Sequence, residues 1–202
     1  MDYLYEIAKE LSQNSKRCRY VSPTSRFDQY VILQKKTEFE TGNDIMDSIR
    51  SNLAILDKKL WNRSADQRAV HKELMASRAE FIYKGAFRTH EKQIREYNDF
   101  PNVKTATALT APRQLGKTTC FALYSTAEFM SVPGSRIVIV ANAARSAGKD
   151  SGMLYLIREM LLKGFGITKK DCKEGYNSST IACRFGNEVR SISSYSSKSK
   201  DR

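Results

Sequence analysis

Long apolar runs and paired cysteine motifs are both missing from this sequence. No apolar run approaches the length of a membrane span, and the polar start, MDYLYEIAKE, lacks the apolar centre of a secretory signal. The four cysteines form no C-x-x-C pair and have no zinc-like spacing with the two histidines, His71 and His90. We therefore expect an intracellular protein that does not contact membranes and whose cysteines are reduced and unpaired.

Negative charge is also in short supply. The 202 residues carry a net charge of +12, with 16 Lys+Arg and 7 Asp+Glu in residues 101–202, a net +9, against a net +3 in residues 1–100. A basic excess of this size suits a polyanionic partner, and nucleic acid is the commonest one. With 41% hydrophobic and 28% charged residues, the composition predicts a globular protein with its own core.

The first hundred residues predict a mostly helical region. Apolar side chains recur at helical spacing in two stripes, and Ser64-x-x-Gln67 predicts a capping box that opens a third helix. These helices carry no recognisable chemistry. The two stripes are Leu4, Ile7, Ala8 and Leu11, then Ile45, Ile49, Leu53, Leu56 and Leu60; the third helix continues through Val70, Leu74, Met75 and Phe81.

Residues 109–119, with the sequence LTAPRQLGKTT, match a phosphate-binding loop followed by a helix. In the pattern G-x-x-x-x-G-K-[ST], backbone N–H groups and the positive end of the helix hold a phosphate chain. Lys117 would reach the β- and γ-phosphates of ATP, and the Thr118 hydroxyl would bind Mg²⁺. This chain has Ala111 where the pattern has its first glycine. The other predicted cofactor-binding residues are Pro112, Gln114, Leu115, Gly116 and Thr119.

The flanking residues predict the strand and the helix that such a loop requires. Residues 105–110 (TATALT) form a short segment rich in β-branched threonine, which predicts a buried strand. The apolar residues of 117–130 recur at helical spacing. After a turn at 133–134, residues 136–141 (RIVIVA) form an apolar run typical of a parallel strand buried on both faces. Together these elements predict a βαβ unit.

The last third of the sequence predicts one more helix and a β-hairpin. The helix runs from Met153 to its predicted end at Lys163-Gly164. Residues 180–185 and 188–192 then flank Gly186-Asn187, a strong signal for a two-residue hairpin turn.

These elements predict an α/β fold, a P-loop NTPase of the ASCE type with a central, mostly parallel sheet. A mostly helical region over residues 1–92 would precede a P-loop ATPase core over residues 93–202. No G-x-G-x-x-G opens the helix after the loop, which disfavours a Rossmann-type dinucleotide site.

Residues 93–202 resemble the ATPase domain of the terminase large subunit, the motor that packages viral double-stranded DNA into capsids. The loop PRQLGKT carries the resemblance, because terminases typically replace the first glycine and place an arginine before the G-K-T. RIVIVAN at 136–142 is similar to the family's second strand. IACRFGNEVRSISSYSS at 181–197 resembles the hairpin that precedes the family's second ATPase motif.

The resemblance implies ATP and Mg²⁺ as cofactors, bound by Lys117 and Thr118. Arg113 matches the family's loop arginine, which implies a catalytic role, since a cation at the γ-phosphate stabilises charge on the transferring phosphoryl group. The implied partners are double-stranded DNA, held mainly through its phosphates, other terminase subunits in a homo-oligomeric ring, and the capsid portal. The implied location is inside the infected host, in the nucleus for a herpesvirus-like protein and in the cytoplasm for a phage.

The sequence departs from the family at the second ATPase motif. A complete motor has a strand that ends in Asp, which holds Mg²⁺ through water, followed by a Glu that activates the attacking water. No apolar run after residue 141 ends in Asp-Glu, and a nuclease region is absent. We therefore expect an exon-encoded, split or truncated fragment of an ATPase. Alone, it should bind nucleotide weakly and should not hydrolyse it at motor rates.

Two alternatives stay open. The first is a fragment of another P-loop nucleic-acid motor, such as a helicase-like ATPase; stimulation of its ATPase activity by single-stranded nucleic acid would favour it. The second is a non-catalytic, basic DNA-binding or scaffold protein with a degenerate loop; DNA binding that survives the loss of Lys117 would favour it.

Overall fold

The first half of the described chain is helical, and the second half combines two helices with all four described strands. A computed structural model describes residues 36–103, 106–110, 116–141 and 152–196. The described residues from Thr37 onward belong to one compact unit. Its helices are α1 (Glu38–Lys59), α2 (Ala65–Tyr83), α3 (Gly85–Asn98), α4 (Lys117–Ser131) and α5 (Met153–Phe165), and its strands are β1 (Arg136–Ala141), β2 (Gly175–Asn177), β3 (Thr180–Phe185) and β4 (Glu188–Ser196).

Capping boxes start both α1 and α2. Glu40 N–H donates to Thr37 Oγ1 at 3.2 Å, and Thr37 N–H donates to Glu40 Oε2 at 2.9 Å. Ser64 and Gln67 make the same pair of bonds, at 3.2 and 3.1 Å. The box predicted at Ser64 is therefore confirmed. The predicted stripe at residues 4–11 lies outside the described residues.

The buried face of α1 follows the predicted stripe, but the buried face of α2 does not. On α1, Ile49, Leu53 and Leu56 are buried as predicted. Phe81, one of the apolar residues of the predicted third helix, is 51% exposed, and the Arg78 guanidinium lies 4.4 Å above its ring. The buried residues of α2 are His71, Met75, Ala76, Ala79, Ile82 and Tyr83.

Helix α4 lies at the centre of the described fold. It packs against α1, α2 and α5 on the helical side and contacts β1 and β4 on the other. Its predicted extent is confirmed, and it is buried along nearly its whole length. The buried residues are Cys120, Ala122, Leu123, Tyr124, Ser125, Thr126, Ala127, Glu128, Phe129 and Ser131.

The four strands form one mixed sheet in the order β1-β4-β3-β2. Strand β1 is parallel to β4, with Arg136 opposite Ser191, whereas β4–β3 and β3–β2 are antiparallel. The α/β class and the hairpin at Gly186-Asn187 are confirmed, with Gly186 in the left-handed conformation at φ +60°. The expectation of a mostly parallel sheet is wrong for the described residues, where one strand pair in three is parallel.

One predicted strand is absent from the described residues, and β1 has its predicted bounds but not its predicted burial. Residues 106–110 form no strand; Thr107 Oγ1 instead donates to the Glu73 carbonyl of α2 at 3.3 Å. Thr105 lies outside the described residues. Strand β1 is not buried on both faces. Val138 and Val140 are 60% and 68% exposed, because the described helices cover only the opposite face.

Helix α5 ends two residues later than predicted. Its closing glycine is Gly166, left-handed at φ +72°, whose N–H donates to Leu162 O at 2.9 Å. Gly164 has a different task, because a Cβ there would lie 2.8 Å from Leu56 Cδ2. It allows α5 to approach α1 closely.

A disulfide joins Cys172, in the α5–β2 connection, to Cys183 of β3. Their Cα atoms are 4.1 Å apart and both residues are buried. The expectation of unpaired cysteines is therefore wrong for these two, because an 11-residue separation in sequence hides their proximity in the fold. Cys120 is unpaired and buried.

The division of the chain after residue 92 stays a prediction. In the structure that position lies inside α3. None of the described helices is long and apolar enough to cross a membrane.

Arg190 of β4 holds the carboxyl end of α4. Its Nη1 donates to the carbonyls of Phe129 and Met130 at 3.0 and 2.6 Å, and its guanidinium lies 4.4 Å above the Phe185 ring. Since these carbonyls are among the last of the helix, the arginine supplies donors that the helix itself lacks.

We predict that Arg190→Met lowers the free energy of unfolding by about 2 kcal/mol, because charged hydrogen bonds to the end of α4 are lost. Arg184→Met is the matched control on β3, where the arginine pairs with Glu174 and is 54% exposed. The control should cost under about 0.5 kcal/mol in urea unfolding. Equal losses in both variants would contradict the helix-capping role.

Candidate functional site

The described part of the predicted phosphate loop is the start of α4. Gly116 precedes the helix, and Lys117 and Thr118 are its first two residues. Thr118 is exposed, while Gly116, Lys117 and Thr119 are partly buried. The other predicted site residues lie outside the described residues: Arg113, Ala111, Pro112, Gln114 and Leu115.

Gly116 adopts the left-handed conformation, with φ +68° and ψ 23°. Such a backbone costs a residue with a Cβ about 1–2 kcal/mol. A Cβ on Gly116 would also lie 3.2 Å from the side-chain nitrogen of Gln67, on α2. Both the conformation and the nearby helix therefore favour glycine here.

The first turn of α4 has neither a side-chain cap nor an acidic residue. Helices α1 and α2, in contrast, carry Thr37 and Ser64 as caps and carboxylates in their first turns. The uncapped N–H groups and the helix dipole leave the start of α4 electropositive, and Lys117 adds a full charge. Helix α5 also begins uncapped, after Gly152, but with apolar residues in place of Lys and Thr. The start of α4 can therefore receive an anion.

Helix α2 contacts this first turn through His71. The imidazole Nε2 lies 2.8 Å from the Cys120 carbonyl oxygen and 3.2 Å from Cys120 Sγ, and the ring is 1% exposed. The Cys120 N–H in turn donates to the Gly116 carbonyl at 2.8 Å. His71 is thus two hydrogen bonds away from the loop glycine.

An ion pair fixes the other nitrogen of this ring. Arg63 Nη1 lies 2.8 Å from His71 Nδ1, while Arg63 Nε and Nη2 donate to the two Asp57 carboxylate oxygens at 2.8 and 2.9 Å. Burial alone would raise the pKa of Asp57, but the hydrogen bonds and charge of Arg63, with the charge of Arg68, lower it overall. Asp57 is on α1, so three helices are linked: α1, α2 and α4.

The surroundings keep His71 neutral. Burial, with a smaller contribution from the Arg63 charge, lowers its pKa from 6.5 to about 4, although the bond to the Cys120 carbonyl acts in the opposite direction. A guanidinium can only donate, so Nδ1 must accept from Arg63 and Nε2 must carry the proton. The Nε2–H group therefore donates to the Cys120 carbonyl.

Cys120 and His71 do not form a nucleophilic pair, despite their proximity. A reactive cysteine needs a lowered thiol pKa and an exposed sulfur. Here burial raises the pKa of the Cys120 thiol, and the neighbouring imidazole stays neutral. The contact is structural.

Further along, α2 and α4 share a second polar contact. Arg78 Nε and Nη2 both lie 3.0 Å from Glu128 Oε1. Burial raises the pKa of the Glu128 carboxyl, while the charge of Arg78 and its hydrogen bonds lower it again, with a net rise. This pair lies two helical turns from Cys120.

A basic cleft of about 300 Å³ opens beside His71, between α1, α2 and the end of α3. Its cations are already paired: Lys72 with Asp99, Arg50 with Asp47, and Arg63 with Asp57. A ligand anion would have to compete with these carboxylates. The charged residues that line the cleft are Arg50, Arg63, Arg68, Lys72 and Asp99.

The Thr118 hydroxyl is the one described oxygen that the sequence predicts for Mg²⁺. In the described part of the chain no group of three or more His, Cys, Asp or Glu side chains is placed to hold a metal. Mg²⁺ commonly binds through one protein oxygen or two, with phosphate oxygens and water completing the shell. The exposed Thr118 hydroxyl, beside an anion site, fits that mode.

Comparison with protein-family models finds no family that matches this chain, and comparison with curated proteins finds no matching relative.

Sequence reasoning located the start of α4 but missed its supports. Asp57 of α1, Arg63 of the α1–α2 connection and His71 of α2 are polar residues that belonged to no predicted site. The available signal was the Gln67–His71 spacing of four residues, which places both side chains on one face of α2. Only the fold brings that face against Gly116 and Cys120.

We predict that His71 makes the protein less stable as the pH falls from 7. Below about pH 6.5 the unfolded chain binds a proton at this histidine, whereas the folded chain does not until about pH 4. Its contribution to the free energy of unfolding is therefore complete above the unfolded pKa and declines toward the folded one, by about 2 kcal/mol between pH 7 and pH 5. Urea unfolding at both pH values measures it.

The control variants are His71→Gln, which should lose this part of the pH dependence, and His90→Gln, which should keep it. An unchanged pH dependence in His71→Gln would mean that His71 titrates normally in the folded protein.

Proposed function

We propose that residues 111–119 bind the phosphates of Mg·ATP and that this chain is the ATP-binding part of a terminase-like motor, which packages viral double-stranded DNA into capsids. One observation carries the proposal: Gly116 is left-handed directly before an uncapped helix that begins with Lys117 and Thr118. Each feature is what a phosphate loop needs at that position.

In this proposal each residue has a separate task. The backbone N–H groups at the start of α4 hold the phosphate oxygens, and Lys117 neutralises the β- and γ-phosphates. Thr118 gives its hydroxyl oxygen to Mg²⁺, which supplies charge neutralisation when it is bound. Arg113 is proposed to stabilise the transferring γ-phosphoryl group in the transition state.

We also propose a specific fold within the α/β class. An ASCE-type P-loop NTPase is supported by the parallel β1–β4 pair and by the position of α4 between that pair and the other helices. The sequence has no apolar strand that ends in Asp-Glu after residue 141. Nucleotide binding without hydrolysis at motor rates is therefore what we propose for this chain on its own.

The proposed partner is double-stranded DNA, supported by the net charge of +9 in residues 101–202. Contacts to phosphates would make the binding independent of sequence and sensitive to salt. A homo-oligomeric ring at a capsid portal, in the nucleus or cytoplasm of an infected host, follows only from the terminase resemblance.

We predict that Gly116→Ala weakens binding of a fluorescent ATP analogue at least tenfold, because the left-handed loop end cannot form without strain. Gly134→Ala is the matched control. Gly134 is left-handed as well, at φ +63°, in the turn between α4 and β1, and a Cβ there would have no atom within 4 Å. Both substitutions should cost about 1 kcal/mol of stability, and only Gly116→Ala should affect nucleotide binding.

A second variant, Lys117→Ala, removes the charge at the start of α4. Its control is Lys92→Ala, at an exposed position on α3. Equal affinity in the wild type, Gly116→Ala and Lys117→Ala, with DNA binding retained, would favour the non-catalytic DNA-binding alternative. Rapid ATP turnover that Lys117→Ala abolishes would contradict the proposal that the chain alone does not hydrolyse ATP at motor rates.

A further inference from the structure

Helix α2 touches the candidate phosphate loop on both sides. Before the loop, Thr107 Oγ1 donates to the carbonyl of Glu73 at 3.3 Å. After the loop, Gln67 lies against Gly116, and His71 donates to the Cys120 carbonyl at 2.8 Å. All three α2 residues lie within two helical turns of one another. The described residues on both sides of the loop therefore contact this part of α2.

His71 is the contact with the most specific geometry. The Cys120 carbonyl already accepts the helical hydrogen bond from the N–H four residues later. The bond from His71 Nε2–H is therefore an additional one, made to this single peptide group. That peptide adjoins the Cys120 N–H, which closes the turn on Gly116 at 2.8 Å. The direction of the imidazole consequently affects how the turn that carries Lys117 and Thr118 is held.

The imidazole itself cannot turn freely. Arg63 fixes Nδ1, and Arg63 is fixed by a two-oxygen pair with Asp57 and by its own N–H, which donates to Asp57 Oδ1 at 3.1 Å. Side-chain exposure is only 10% for Arg63 and 16% for Asp57. His71 is thus held at both ring nitrogens. Histidines that bind metals are oriented in a similar way, by a hydrogen bond to the ring nitrogen that does not bind the metal.

We propose that His71 is a positioning residue for the phosphate loop, which sets the first turn of α4 through the Asp57–Arg63–His71–Cys120 hydrogen bonds and couples nucleotide binding to helices α1 and α2. This inference rests on the proposed nucleotide-binding function. A histidine that merely fills space between α2 and α4 would affect overall stability and would not act selectively on the first turn.

The test compares three variants of the full chain at a temperature where each is folded. His71→Leu keeps the volume and removes both hydrogen bonds, and His71→Gln keeps a donor for the Cys120 carbonyl. Asn52→Ala is the control, because Asn52 Nδ2 donates to Ser131 Oγ at 2.9 Å and so links α1 to the far end of the same helix. The readouts are the Kd of a fluorescent ATP analogue and amide exchange in the absence of nucleotide.

We expect His71→Leu to raise the Kd at least tenfold and to speed exchange of the amides of residues 120–122, the first that bond within α4, more than that of residues 125–131. His71→Gln should restore the Kd to within about threefold of the wild type, and Asn52→Ala should leave it unchanged. An unchanged Kd in His71→Leu, or an equal rise in Asn52→Ala, would overturn the inference.

Two further measurements keep the test decisive. If the wild type binds no nucleotide, the proposed function fails, and selective exchange at residues 120–122 in His71→Leu still decides whether His71 positions the turn. If His71→Leu does not fold, the wild type is titrated with Mg·ATP, because coupling is reciprocal. The ring signals of His71 should then shift while those of His90 stay constant, and no shift at His71 would overturn the inference.

Discussion

The burial of helix α4 is the constraint on which the rest of the described structure depends. A helix that is buried along almost its whole length relies on its neighbours to bond most of its polar side chains and its terminal backbone groups, because water does not reach them. Here the neighbours are spread over the whole fold. His71 and Arg78 of α2, Ser48 and Asn52 of α1, and Arg190 of β4 each bond to α4. Hydrogen bonds to α4 therefore link the helical region to the sheet.

This constraint also explains where chemistry can occur. The amino end of α4 is the part of the helix that reaches solvent, since Thr118 is exposed and Lys117 and Thr119 are only partly buried. It is also the end without a cap or a carboxylate. The carboxyl end, in contrast, is closed by Arg190. The carbonyls at the carboxyl end thus bond to an arginine of the protein, whereas the N–H groups at the amino end have no side-chain cap and can bind an anion.

Local signals in the sequence predicted the elements well where turn chemistry or a strong period decides the structure. Gly186-Asn187 predicts its hairpin because few residues accept that turn, and Ser64 with Gln67 predicts a helix start through hydrogen bonds only three residues apart. Strand β1 and helix α4 follow from their apolar patterns.

The failures involve partners that are distant in the sequence. Residues 106–110 have the composition of a strand, but Thr107 bonds to α2 instead. Cys172 and Cys183 meet only because β3 folds back towards the α5–β2 connection. The bonds of His71 were not predicted, because the spacing of Gln67 and His71 shows only that they share a face of α2, while the partner Cys120 is 49 residues away. The location of the candidate site was predictable, and its supports were not.

The most direct test of the account is to locate bound nucleotide by amide chemical shifts in the isotope-labelled chain during titration with Mg·ADP. We predict saturable shifts at residues 116–120 and none at the uncapped start of α5, residues 152–155, which serves as the internal comparison. Shifts confined to the basic cleft around Arg50 and Lys72, or equal shifts at both helix starts, would contradict the claim that α4 begins at a phosphate-binding loop.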